Sequence, residues 1–335
     1  VRVLEVNSGT TVTLDSLIIR DGFQSAEEGG GILNLGTSNL INSIISENTA
    51  RHGGGIVNAG TLNILSSTIS RNSAVSPANQ TADGGGILNL GVLNITNSIL
   101  SNNRANQYGS GGGLLNWGTL NIVGSTISGN SARTGGGLNN NADGNTTITE
   151  STFSENAAEY GGGIQNSETV NITNTTFVSN SSNSKGGGFG NSGTAALLNG
   201  TFSGNSAGSD FTSGQGGGIY NTGTITSAGI TFFNNSTTGD GAAIFNGYNL
   251  TVKNNTFSNN FASTYGGGIL NGGTLSITNS TFSGNTAGTV DGGGGVRNAG
   301  TMNFTNTILA NSTFGNDCYN AGTVGINVSN LVEVN

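Results

Sequence analysis

Charge is scarce in this chain. Of its 335 residues 8% are charged, nine basic against seventeen acidic, for a net charge of −8. Such a surface repels a phosphate backbone and argues against nucleic acid as a partner. Cysteine occurs once, at Cys318, which excludes an internal disulfide framework. Proline occurs once, at Pro77, in a segment that reads as an insertion, where it breaks no strand. No apolar run is long enough to span a membrane, and no segment carries helical periodicity. A signal-peptide pattern is also missing, and the chain opens at Val1, so it reads as a piece processed from something longer.

What is present is glycine, 60 residues of it, among many Asn, Ser and Thr. That composition alone would permit disorder. The order of the residues does not, because one phrase recurs thirteen times: Gly-Gly-Gly-Ile-x-Asn-x-Gly-Thr-Leu-x-Ile-x-Asn-Ser-Thr-Phe-Ser-x-Asn. A fixed period of about 26 residues marks a stack of one small unit. The first Asn of each unit is read at Asn7, Asn34, Asn58, Asn89, Asn116, Asn140, Asn166, Asn191, Asn221, Asn246, Asn271, Asn298 and Asn320. The second is read at Asn48, Asn72, Asn103, Asn130, Asn156, Asn180, Asn205, Asn235, Asn260, Asn285 and Asn311, with Asp21 in that slot of the opening unit. First to second is nearly constant, whereas second to next first varies, so insertions are confined to one corner.

Each unit holds three short strands: Gly-Gly-Gly-Ile-x-Asn, Thr-Leu-x-Ile (Thr61–Ile64, Thr274–Ile277) and Ser-Thr-Phe-Ser (Ser280–Ser283). Leu and Ile two apart share one face of a strand. Three strands plus turns in 26 residues predict an all-β chain, a parallel β-helix (solenoid) of about 12–13 coils. The expectation is a single domain over 1–335 with partial coils at 1–21 and 312–335, stacked at about 4.8 Å per coil. The core columns are Ile32, Ile56, Ile87 and their equivalents two before the first Asn. Three before the second Asn lies another column, from Ile45 to Ile308, with six consecutive Phe from Phe153 to Phe282 expected to stack. The Asn columns suit left-handed turn residues and can also bond coil to coil as ladders.

Gly-Gly-Gly-Ile (Gly161–Ile164, Gly266–Ile269) and Phe-x-x-Asn (Phe153–Asn156, Phe202–Asn205, Phe282–Asn285) resemble the repeats of chlamydial polymorphic outer-membrane proteins. The wider phrase is similar to large bacterial surface β-helix proteins, including cyanobacterial ones, and Asp317–Thr323 to their closing units. The resemblance covers nearly the whole chain and implies secretion, a surface location and structural or adhesive work. Together with the crossover rule it implies a right-handed coil.

Chemistry is thin beside this. Pectin lyases and polygalacturonases are parallel β-helices with clustered Asp, but here Asp83, Asp240 and Asp291 precede separate Gly runs. His52, beside Arg51, reads as a solvated turn histidine with no triad partners around it. Glu47 with Arg71, and Arg133 with Glu159, occupy equal slots of adjacent units and read as inter-coil pairs. Tyr108, Tyr160 and Tyr265 read as turn packing rather than sugar-stacking aromatics. Cys318 takes an inward slot. No catalytic, cofactor or metal residues are assigned.

Two features point outward. The triple Gly leaves a bare strand that serves either a close partner backbone or a tight corner. If Ile32 points in, Leu33 points out, so Leu33, Leu35, Val57, Leu88, Leu90, Leu115 and Trp117 form a candidate interface strip. The apolar ends (Val1, Val3, Leu4 and Val6; Leu331, Val332 and Val334) are candidate edges for end-to-end association. The sequence thus predicts a non-enzymatic, extracellular shaft, adhesin stalk or filament subunit. Its partners would be itself, end to end or laterally, flanking segments of a longer polypeptide, or surface polysaccharide. The alternative is a carbohydrate-active β-helix or sugar-binding module. Ice binding ranks last, since Thr (Thr61, Thr119, Thr274) recurs without a two-column array.

Overall fold

A computed structural model describes residues 1–24, 28–77, 80–141, 144–209 and 213–333. They fall into two compact units, Val1–Val170 and Asn171–Asn335. Among the described residues every regular element is a β-strand, and both units are parallel β-solenoids built from the same coil.

A coil of the first unit shows the plan. Ile56–Asn58 is the first strand, Thr61–Leu65 the second and Thr68–Ser70 the third. Each pairs in parallel with its equivalent one coil on, Ile56 opposite Ile87, Leu62 opposite Leu93, and Ile69 opposite Leu100. Side chains two apart in a strand share a face, so Ile56, Leu62, Ile64 and Ile69 all turn inward and are buried. Each contributes roughly 1.5–3 kcal/mol by leaving water. The second unit repeats the plan, with Phe177, Phe202, Phe232, Phe257 and Phe282 in the third-strand column. Neighbouring rings stack with centroids 4.2–5.2 Å apart. Phe153, the remaining Phe of the expected stack, is buried in the first unit.

A fourth strand, absent from the sequence reading, follows the second Asn in several coils, as at Thr49–Ala50, Ser73–Ala74 and Thr286–Ala287. It is two residues long in these coils, and its inward Ala50, Ala74 and Ala287 are buried. A single methyl gives almost no apolar signal, but the recurrent Asn-Ser/Thr-Ala triplet marks it.

The two Asn columns are ladders, buried from Asn34 to Asn298 in the first and from Asn48 to Asn285 in the second, with Asn320 exposed at the end of the first. Along the first, each amide nitrogen donates to the next oxygen, as in Asn34 to Asn58 (2.7 Å), Asn58 to Asn89 (2.8 Å) and Asn271 to Asn298 (2.7 Å). In the second, Asn103 Oδ1 accepts from both the main-chain N and Nδ2 of Asn72, each at 3.0 Å. Asn103 Nδ2 donates to Ile69 O at 2.9 Å and Asn130 Oδ1 at 3.0 Å. One side chain thus makes four bonds, which no apolar or smaller residue could replace.

The left-handed backbone expected of these Asn sits elsewhere. It falls on the preceding residue, Glu47, Arg71, Asn102, Glu155, Asn234 and Asn259, at φ of 53–60°. That slot varies because only the backbone matters there. The ladder slot is kept because the amide is used.

This corrects the register at both ends. Asp21 and Asn311 have φ of 59° and 58° and are the turn residues, so the ladder slots belong to Gly22 and Ser312. Correspondingly Leu309, not Ile308, pairs with Phe282 and is buried. Val6, not Asn7, lies opposite Asn34.

The triple Gly is a corner. Gly53 takes φ of 59°, and a Cβ there would lie 2.4 Å from both Ile56 O and Val57 Cγ2. The chain doubles back over its own next strand, and the run is buried. It offers no bare face to a partner.

Candidate apolar groove on the first unit

That corner decides the fate of the expected strip. Val57, Leu88 and Leu115 do point away from the main core, yet they are 0%, 4% and 2% exposed, and Leu33 packs against them half-buried. The glycine corner folding back over the first strand covers them. Leu35, Leu90 and Trp117, two residues further along, are exposed at 38%, 38% and 44%. The seven residues therefore form a covered floor and an exposed ridge rather than one exposed strip.

On the other side of the floor stands the residue preceding each left-handed glycine: Glu28, His52 and Asp83 in successive coils. Glu28 and His52 form a parallel bridge. His52 Nδ1 accepts the main-chain N–H of Asp83 at 3.3 Å and lies 3.5 Å from its Oδ2. Asp83 Oδ1 in turn accepts the main-chain N–H of Ser110 at 2.8 Å. His52 is thus half-buried and held, not the solvated turn histidine of the sequence reading. The signal available was its slot directly before Gly53, which Asp83 shares before Gly84.

Floor, ridge and column enclose a groove of about 120 Å³ lined by Glu28, His52, Asp83, Leu88, Leu90, Leu115 and Trp117. Two roomier hollows, of about 340 and 530 Å³, are lined by Ser73–Pro77 with Arg104 and Asn106–Tyr108, and by Val290 with Asn311–Asn316 and Glu333. Among the described residues no three His, Cys, Asp or Glu side chains converge as a metal ion needs.

The equivalent columns of the second unit hold rings and cations. Tyr220 stacks on Phe245 at 5.1 Å, and Lys185 Nζ lies 3.2 Å from the Tyr220 hydroxyl. Arg297 covers Tyr265 at 3.6 Å and Tyr319 at 5.0 Å. These ring faces are occupied by neighbouring coils. Asp240, preceding Gly241, has its carboxyl pushed up by burial, against the opposing pull of the Tyr265 N–H, Gln215 and Arg297.

The remaining expected residues are placed as follows. Glu47–Arg71 and Arg133–Glu159 pair at 3.0 and 2.9 Å on the surface. Cys318 takes the slot opposite Val296, half-buried, and its thiol is pushed up to about 11 by burial and then by Asp317. Among the edge residues Val1, Val3 and Leu331 are exposed at 96%, 50% and 61%, Leu4 and Val332 are half-buried and Val6 is buried. Val334 lies outside the described residues.

Residues 199–222 and 229–247 match the Chlamydia polymorphic membrane protein repeat. Both segments lie in the second unit, across the Asn221 and Asn246 ladder positions. No curated protein and no solved structure matches the chain. Among the described residues no helix is long and apolar enough to cross a membrane.

Proposed function

We propose that this chain is a non-enzymatic structural or adhesive element of a bacterial cell surface, a shaft or filament subunit held together by its own stack. The observation that carries the reading is the match to a surface-protein repeat on a coil whose recurring Asn side chains are consumed in coil-to-coil bonds. Stacked strand edges template further strands. We assign that role to Leu4–Val6 and Leu331–Val332, which meet a second copy or flanking segments of a longer polypeptide. The test is electron microscopy of the purified chain over a range of concentrations. Filaments with an axial repeat of one chain are expected. Isolated particles at every concentration would overturn self-assembly and leave a stalk within a longer polypeptide.

A carbohydrate-active β-helix is the competing reading. One feature favours it: Glu28 and Asp83 flank His52 at the mouth of the groove. It requires release of reducing ends from an extracellular polysaccharide, abolished by Asp83→Asn. No release across a panel of such polymers removes it.

A further inference from the structure

The groove on the first unit has three chemistries in a small space. Its floor is aliphatic, with Leu88 and Leu115 buried. Its ridge carries the exposed Trp117, the chain's single tryptophan. Its mouth carries the Glu28 and Asp83 carboxylates, with His52 between them. At about 120 Å³ it is far below the roughly 300–1,000 Å³ of a small-molecule pocket. It is nearer the roughly 150 Å³ that holds one benzene ring. This is room for one side chain.

The side chain that suits all three parts has an apolar stem and a cationic head. The stem packs on the exposed Leu90 beside the buried Leu88 and Leu115, an indole attracts a cation to its face, and the head meets carboxylates. Arg2, beside Glu28, is already engaged. Arg2 donates to Glu28 O at 2.8 Å and Gly29 O at 3.2 Å, and pairs with Glu5. We propose that the groove is a docking site for a lysine side chain presented by a partner polypeptide. This rests on the adhesive reading for its use, while the binding is tested on the isolated chain, so failure here leaves the filament result untouched.

The sole tryptophan lines the site, so its fluorescence reports occupancy directly. The probe is a capped Gly-Lys-Gly peptide, compared with the same peptide carrying norleucine in place of lysine. The lysine peptide should change Trp117 emission saturably, at least tenfold more tightly than the norleucine peptide, and less tightly as salt rises. Glu28→Gln combined with Asp83→Asn, with unchanged circular dichroism, should weaken the lysine peptide at least tenfold. The Asn oxygen can still accept from Ser110, which keeps the corner folded. No saturable change, equal binding of norleucine, or unaltered binding by the double variant would each overturn the proposal.

Discussion

The two units share a backbone plan and differ in what fills it. In the first, the third-strand column is mainly Ile and Leu (Ile45, Ile69, Leu100, Ile127), and in the second it is Phe from Phe177 to Phe282. Outside the first strand, the first unit places Val57, Leu88 and Leu115 where the second places Tyr220, Phe245 and Arg297. The Asn ladders are the same in both. Polar ladders thus hold the register, while the apolar filling changes from aliphatic to aromatic as long as each coil matches its neighbours. The outer columns are freest to differ. One outcome is an open groove, and the other is a set of rings whose faces are already covered.

Truncating the fillings tests that comparison hardest. Phe232→Ala should cost about 3–5 kcal/mol and Ile69→Ala about 2–5 in urea denaturation. A loss below about 1 kcal/mol at Phe232 would mean that the ring column is not core. The outer columns should separate more. Leu115→Ala, which opens a buried floor, should cost about 2–5 kcal/mol. Arg297→Ala, which strips a cation from two partly exposed rings, should cost about 0.5–2. Equal losses would erase the distinction between covered floor and exposed stack.

The smallest effects have opposite signs in the two units. Glu159, in the first, is held below its usual value of 4.5 by its hydrogen bond from Arg133. Its contribution is present above that value and lost as pH falls through the folded pKa. Asp240, in the second, is raised above 3.8 by burial. Its contribution is whole below that value and lost as pH rises through the folded pKa. Glu159→Gln should therefore lower the melting temperature slightly at pH about 7, and Asp240→Asn should raise it. Each difference should disappear once pH falls below both the folded and the unfolded pKa of the group concerned. Salt should erase the Glu159 effect first, because that pair is exposed. A gain from Glu159→Gln at neutral pH would contradict the assignment.

Much of the fold was legible because a repeat multiplies weak signals. Ile56, Ile87 and Leu114 recur in one slot, and a strand two residues either way would break all of them together. The register differs where the repeat thins: the sequence puts Asn7, Asp21 and Asn311 at ladder positions that Val6, Gly22 and Ser312 hold. Asn serves both the left-handed turn and the ladder in this chain, so identity alone did not separate adjacent slots. The groove was half legible. Its apolar members were all named, but alternation predicts only which side of a strand a residue faces. Whether Leu88 is covered depends on a glycine corner arriving from the same coil. The Glu28, His52 and Asp83 column was missed because variable insertions hide its spacing. Counting back one residue from each left-handed glycine recovers it.

Buried Asn amides, not the filling, hold the stack in register. Hydrogen exchange of the Asn side-chain amides, followed by NMR, tests it most directly. The Nδ2 protons of Asn72, Asn103, Asn205 and Asn235 should be protected alike in both units, on the order of a thousandfold or more over a free amide. Exchange at free-peptide rates in either unit, with the fold intact, would contradict it.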